Sequence, residues 1–113
     1  MASPITTHVL DTALGCPAAG LPIALSARDA DGFRPVASGT TNADGRITDL
    51  LAPGTLTAGD YRMVFDTAAY LEASGRPVFY PQVCIEFRIT APDEHYHVPL
   101  LLSPFGYSTY RGS

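Results

Sequence analysis

Alternation of apolar and polar side chains is the dominant pattern along this chain. In Val83-Cys84-Ile85-Glu86-Phe87-Arg88-Ile89 the odd positions are large and apolar and the charges fall between them. A period of two puts one face of a strand in a core and the other in water. Tyr61-Arg62-Met63-Val64-Phe65-Asp66 and Ile23-Ala24-Leu25-Ser26-Ala27-Arg28 repeat the pattern less strictly. The chain as a whole predicts strands at about 5–11, 22–29, 33–40, 46–49, 60–66, 83–90, 95–102 and 106–111. Residues 67–75 break the pattern: their Ala, Leu and Glu favour helix and Gly75 suits a C-terminal cap, which predicts one short helix. Asp31-Gly32 signals a tight hairpin turn between the second and third strands, and Asn42-Ala43-Asp44-Gly45 another turn just before Arg46. Eight short strands of this kind imply an all-β sandwich of two packed sheets.

Composition narrows the class. With 113 residues, 46% of them hydrophobic and 16% charged, the chain suits one compact domain spanning 1–113, and no repeat or composition shift marks a second. A net charge of -4 without a basic block argues against nucleic acid as a partner. No run of ~18 apolar residues suggests a membrane span. The start, Met1-Ala2-Ser3-Pro4-Ile5-Thr6-Thr7-His8, lacks the charged leader and apolar run of a secretory signal, so a cytoplasmic location is expected. Cys16 and Cys84 carry no zinc-type spacing and are expected to be reduced thiols.

The candidates for chemistry are few. His8, His95 and His97 are the only histidines and the natural proton carriers near neutral pH. A strand histidine is more often a packing or surface residue, so each needs a partner before it signifies. His95 and His97 lie two apart and could grip one ion if a third histidine joined them, but no acidic residue is placed to orient the rings; no metal and no cofactor are expected. Arg46 is either a solvated charge at a strand start or a guanidinium fork for a planar acceptor or a carbonyl under attack. No Gly-x-Ser-x-Gly elbow, phosphate loop or nucleotide fingerprint occurs. The chain closes on Phe105-Gly106-Tyr107-Ser108-Thr109-Tyr110-Arg111-Gly112-Ser113, which reads as a last strand stopping at a site or as an edge strand with a loose tail.

Tyr110-Arg111-Gly112-Ser113 is similar to the C-terminal signature of the 5-hydroxyisourate hydrolases of the transthyretin-related family. Pro99-Leu100-Leu101-Leu102-Ser103-Pro104-Phe105-Gly106-Tyr107 fits the same register. Thr7-His8-Val9-Leu10-Asp11-Thr12 with Gly20-Leu21-Pro22, Thr41-Asn42-Ala43-Asp44-Gly45-Arg46 and Phe79-Tyr80-Pro81 resemble further landmarks of that family. The resemblance implies a transthyretin-like sandwich of two four-stranded sheets with one short helix, assembled as a homotetramer, a dimer of dimers with sites at the dimer–dimer interface. It implies a small-molecule substrate, 5-hydroxyisourate, opened at its N1–C6 amide bond. By motif, the catalytic set falls on His8, Arg46 and His97, with Tyr110, Arg111, Gly112 and Ser113 on the substrate side. Such chemistry would have one histidine take a proton from water, Arg46 hold the developing oxyanion, and the other histidine return a proton to the leaving nitrogen. Two rivals remain at this stage: a transthyretin-like hormone carrier, whose apolar channel would make charged groups costly to bury, and a sandwich with only a structural role.

Overall fold

The computed structural model describes residues 3–112, and within them the alternation resolves into two sheets. The strands are β1 (Ile5–Asp11), β2 (Cys16–Pro17), β3 (Pro22–Asp29), β4 (Gly32–Thr40), β5 (Arg46–Ile47), β6 (Gly59–Phe65), β7 (Val83–Ile89), β8 (Tyr96–Ser103) and β9 (Gly106–Thr109). The helix α1 (Thr67–Ala73) connects β6 to β7. One sheet runs β4-β3-β6-β7, entirely antiparallel. The other runs β2-β1-β8-β9, and β5 pairs with β1 off that path. The core lies between them, where Ile5 and Val9 of β1 and Val98 and Leu100 of β8 meet Ile23, Leu25, Met63, Phe65, Val83 and Ile85 of the other sheet. No helix among the described residues is long and apolar enough to cross a membrane.

The expected all-β sandwich is therefore present, but the β1 sheet has five strands where four were expected, because β5 adds to β1, and the strand expected at 106–111 ends at Thr109; three further local differences follow. Cys16–Pro17 forms a strand that no apolar pattern announces, because Gly15, at φ 71, reverses the chain and lays these two residues back against Leu10 and Asp11. The strand expected at 46–49 ends at Ile47, since the chain turns inward there to bury Leu50. The helix stops at Ala73, two residues early, where the Ser74 amide closes on the Leu71 carbonyl at 3.1 Å and Gly75 follows at φ 69. Its start is set by Asp66, whose carboxylate accepts from the Ala69 amide at 3.0 Å.

Two features of this frame position the site. β1 runs parallel to β8, with Thr6 opposite His97 and His8 opposite Pro99. The other edge of β1 takes β5, with His8 opposite Arg46. Because Ile5, Thr7 and Val9 point into the core, Thr6 and His8 face outward, as does His97 between the buried Tyr96 and Val98.

Candidate active site

Arg46 reaches His8 through a turn whose residues each do a local task. The Asn42 side-chain oxygen accepts from the amides of Asp44 at 2.9 Å and Arg46 at 3.0 Å. Gly45, at φ 73, lies so close to β1 that its carbonyl accepts from the Val9 amide at 2.7 Å. Five of the seven basic residues, all arginines, form ion pairs; among the described residues Arg46 meets no carboxylate and is exposed. Its guanidinium is therefore available to a ligand at the sheet face.

The two flanking histidines are held toward their neutral forms. Burial lowers the His8 pKa below 6.5 and the Arg46 charge lowers it further, against hydrogen bonding to the Asp44 backbone and the Asp44 charge. Burial also lowers His97, followed by repulsion from Arg46, His8 and His95. Two imidazoles and a guanidinium thus share one electrostatic site, and the imidazoles are free to accept a proton at neutral pH.

The Thr6 hydroxyl lies 2.8 Å from Nδ1 of His97 and 3.0 Å from Nε2 of His95. The His97 ring is tied at Nδ1, which leaves Nε2 as its open nitrogen. Thr6 is the residue that sequence reasoning missed. Its signal was its place two residues before His8 on an alternating strand. Among the described residues no three His, Cys, Asp or Glu side chains are grouped to hold a metal ion.

The tail joins this cluster unevenly. Beyond β9 the chain makes one more bridge, Gly112 to His97, in continuation of the β8–β9 register, with the Gly112 amide donating to the His97 carbonyl at 2.9 Å. A Cβ on Gly112 would stand 2.6 Å from Cδ2 of His97, so the bare glycine leaves the imidazole its place. The same register sets Tyr110, whose ring is exposed, opposite Pro99 on the histidine side. Arg111 alternates to the other side, where it stacks 4.2 Å over Tyr96 and pairs with Glu94 at 3.1 Å. The structure thus brings His8, Arg46, His97 and Gly112 together and holds Arg111 away from them. Ser113 lies outside the described residues.

A β-sandwich whose sheet face presents two imidazoles held toward their neutral forms, beside a guanidinium that meets no carboxylate among the described residues, has a polar face able to exchange protons, unlike an apolar channel. The chain belongs to the HIUase/Transthyretin family, whose model matches residues 5–112. It is 48% identical over 113 residues to a Mus musculus protein named 5-hydroxyisourate hydrolase, a match covering 98% of this chain and 96% of the relative. Its fold superposes on Klebsiella pneumoniae 5-hydroxyisourate hydrolase with a TM-score of 0.85 at 37% identity, covering 96% of this chain and 97% of that one. It also superposes on sea bream transthyretin in complex with thyroxine, with a TM-score of 0.91 at 35% identity, covering 97% and 95% of the two chains.

Proposed function

We propose that this protein hydrolyses 5-hydroxyisourate, opening the six-membered ring at the N1–C6 amide bond. The fold alone does not carry this reading, since the thyroxine-bound transthyretin is at least as similar in shape as the hydrolase. The observation that carries it is the cluster of His8, His97 and the unpaired Arg46 on one sheet face. A carrier channel built on that face would have to desolvate a guanidinium and two imidazoles without compensating partners.

The chemistry follows from the protonation states. Both imidazoles start neutral, so His97 takes a proton from water at Nε2 as the water attacks the carbonyl, or His8 does so from the neighbouring strand. Arg46 holds the carbonyl oxygen and stabilises its negative charge as the tetrahedral intermediate forms. The proton taken up is the one available to the leaving ring nitrogen, because neither neutral imidazole has another to give without becoming an anion. Tyr110 and Gly112 border the substrate from the tail, and Arg111 contributes by anchoring that tail to Glu94 and Tyr96.

The assembly we propose is a homotetramer, a dimer of dimers whose dimer–dimer cleft supplies the walls around this site. In one chain β7 and β9 are edge strands, and Phe79, Phe105, Tyr107 and Tyr110 are exposed large side chains, features that favour association. Cys16 and Cys84 are free and exposed, in keeping with a reducing cytoplasm. Freshly generated 5-hydroxyisourate, followed by its ultraviolet absorbance, should disappear faster on adding the protein. Decay at the spontaneous rate would refute the hydrolase reading, and a monomer in sedimentation at micromolar concentration would refute the shared cleft.

A further inference from the structure

Thr6 is a buried residue, at 9% exposure, and its hydroxyl sits between two ring nitrogens. It has one proton, so it donates to only one of the two rings at a time. When it donates to Nε2 of His95, it must accept from Nδ1–H of His97, and Nε2 of His97 is then a bare lone pair. When it donates to Nδ1 of His97, it accepts from Nε2–H of His95, and Nε2 of His97 carries the proton. The orientation of one hydroxyl therefore selects whether His97 is a proton acceptor or a proton donor. His95 lies on the exposed side of this bridge and His97 on the inner side, with the two rings stacked at 6.4 Å.

We propose that Thr6 and His95 are positioning residues for His97, forming a hydrogen-bonded relay that sets its tautomer and carries charge away from it during turnover. The proposal rests on the hydrolase reading above. In the resting site His97 is protonated at Nδ1, Thr6 donates to His95, and His95 is neutral with its proton on Nδ1. As Nε2 of His97 takes the water's proton, the Nδ1 proton passes to the Thr6 oxygen and the Thr6 proton passes to Nε2 of His95. His97 is then neutral with its proton on Nε2, and the positive charge resides on His95. The reverse shift accompanies donation from Nε2 of His97 to the leaving nitrogen and restores all three groups. The relay relieves a specific cost, since a cation on His97 faces Arg46 from β5, His8 from β1 and desolvation by the sheet face, whereas His95 is exposed to water.

The test compares Thr6→Val, Thr6→Ser, His95→Phe and the double variant Thr6→Val/His95→Phe in the full-length protein, with folding checked by circular dichroism. Thr6→Val and His95→Phe should each lower kcat about ten- to a hundredfold, the range for removing an imidazole's orienting partner, with KM within about twofold. Thr6→Ser should recover most of the kcat lost in Thr6→Val. The double variant should be no worse than Thr6→Val alone, because both changes cut one chain. In parallel, nitrogen-15 shifts of the His97 ring should show the Nδ1-protonated form in the parent and its loss in Thr6→Val. Parent-like kcat in either single variant, additive losses in the double variant, or ring shifts that Thr6→Val leaves unchanged would overturn the relay. If the parent itself does not accelerate 5-hydroxyisourate decay, the hydrolase reading fails separately, and the ring shifts alone decide whether Thr6 sets the His97 tautomer.

Discussion

At the scale of single residues, Gly112 shows how an absent side chain can shape a site. The contact between a Cβ there and Cδ2 of His97 would have to open from 2.6 Å to an ordinary separation, which moves the imidazole by about an ångström. Gly112→Ala should therefore lower kcat/KM by about a hundredfold and change denaturant stability by less than ~1 kcal/mol, since the tail is peripheral to the core. The ionisation of the histidines makes a second prediction. His8 and His97 are lowered from 6.5, so the neutral forms required for proton acceptance persist through pH 7, and kcat/KM should fall only on acidification below that value. After burial, the largest contribution to both shifts is the Arg46 charge. Arg46→Gln should therefore move the acid limb to higher pH as well as lowering the plateau, and an unmoved limb would mean that the guanidinium does not act on the imidazoles.

At the scale of elements, the turn before β5 was legible in the sequence and its purpose was not. Asn42-Ala43-Asp44-Gly45 announced a reversal through residues that bond their own backbone or accept a positive φ. Only the packing shows that Gly45 must also touch β1, where an added Cβ would stand 2.5 Å from the Val9 carbonyl oxygen. Gly45→Ala combines that clash with a φ of 73 and should cost about 2–3 kcal/mol in chemical denaturation. It should also loosen Arg46 from its place beside His8, so KM should rise. Stability and KM equal to the parent would show that β5 does not depend on this approach. Strand β7 was readable from alternation alone, and β3 and β6 less strictly, whereas β2, only two residues long, forms through a turn and a neighbour and has no periodicity to read.

At the scale of the molecule, one buried ion pair ties the end of β1 to the segment that follows α1. Asp11, at 2% side-chain exposure, meets the Arg76 guanidinium and accepts a hydrogen bond from Tyr70 at 2.7 Å. Burial alone would raise the Asp11 pKa, but hydrogen bonds from Arg76, Tyr70 and the Leu14 amide together hold it below 3.8. Burial and Asp11 in turn push the Tyr70 hydroxyl up to about 12. Arg76→Ala leaves a buried carboxylate without its cation and should cost about 3 kcal/mol at neutral pH, measured by denaturant titration. The pH sign follows from the depressed value: the contribution of Asp11 is complete above 3.8 and is lost as pH falls through the lower folded pKa. In Arg76→Ala that acid-side loss should flatten, and an unchanged acid slope would assign it to other carboxylates.

The sequence by itself determined the local geometry: a period of two for the strands, one short helix closed near Gly75, and turns at residues whose backbones permit them. It also held the family pattern that pointed to His8, Arg46, His97 and the tail. These features depend on neighbours a few residues apart, which is why they can be read along the chain. Tertiary structure decided which strands lie together and which face each side chain takes. The pairing that brings Thr6 to His97 joins residues 91 apart, and no local preference encodes it. The same register turns Gly112 toward the histidines and Arg111 to the opposite side, because adjacent residues on a strand face opposite ways.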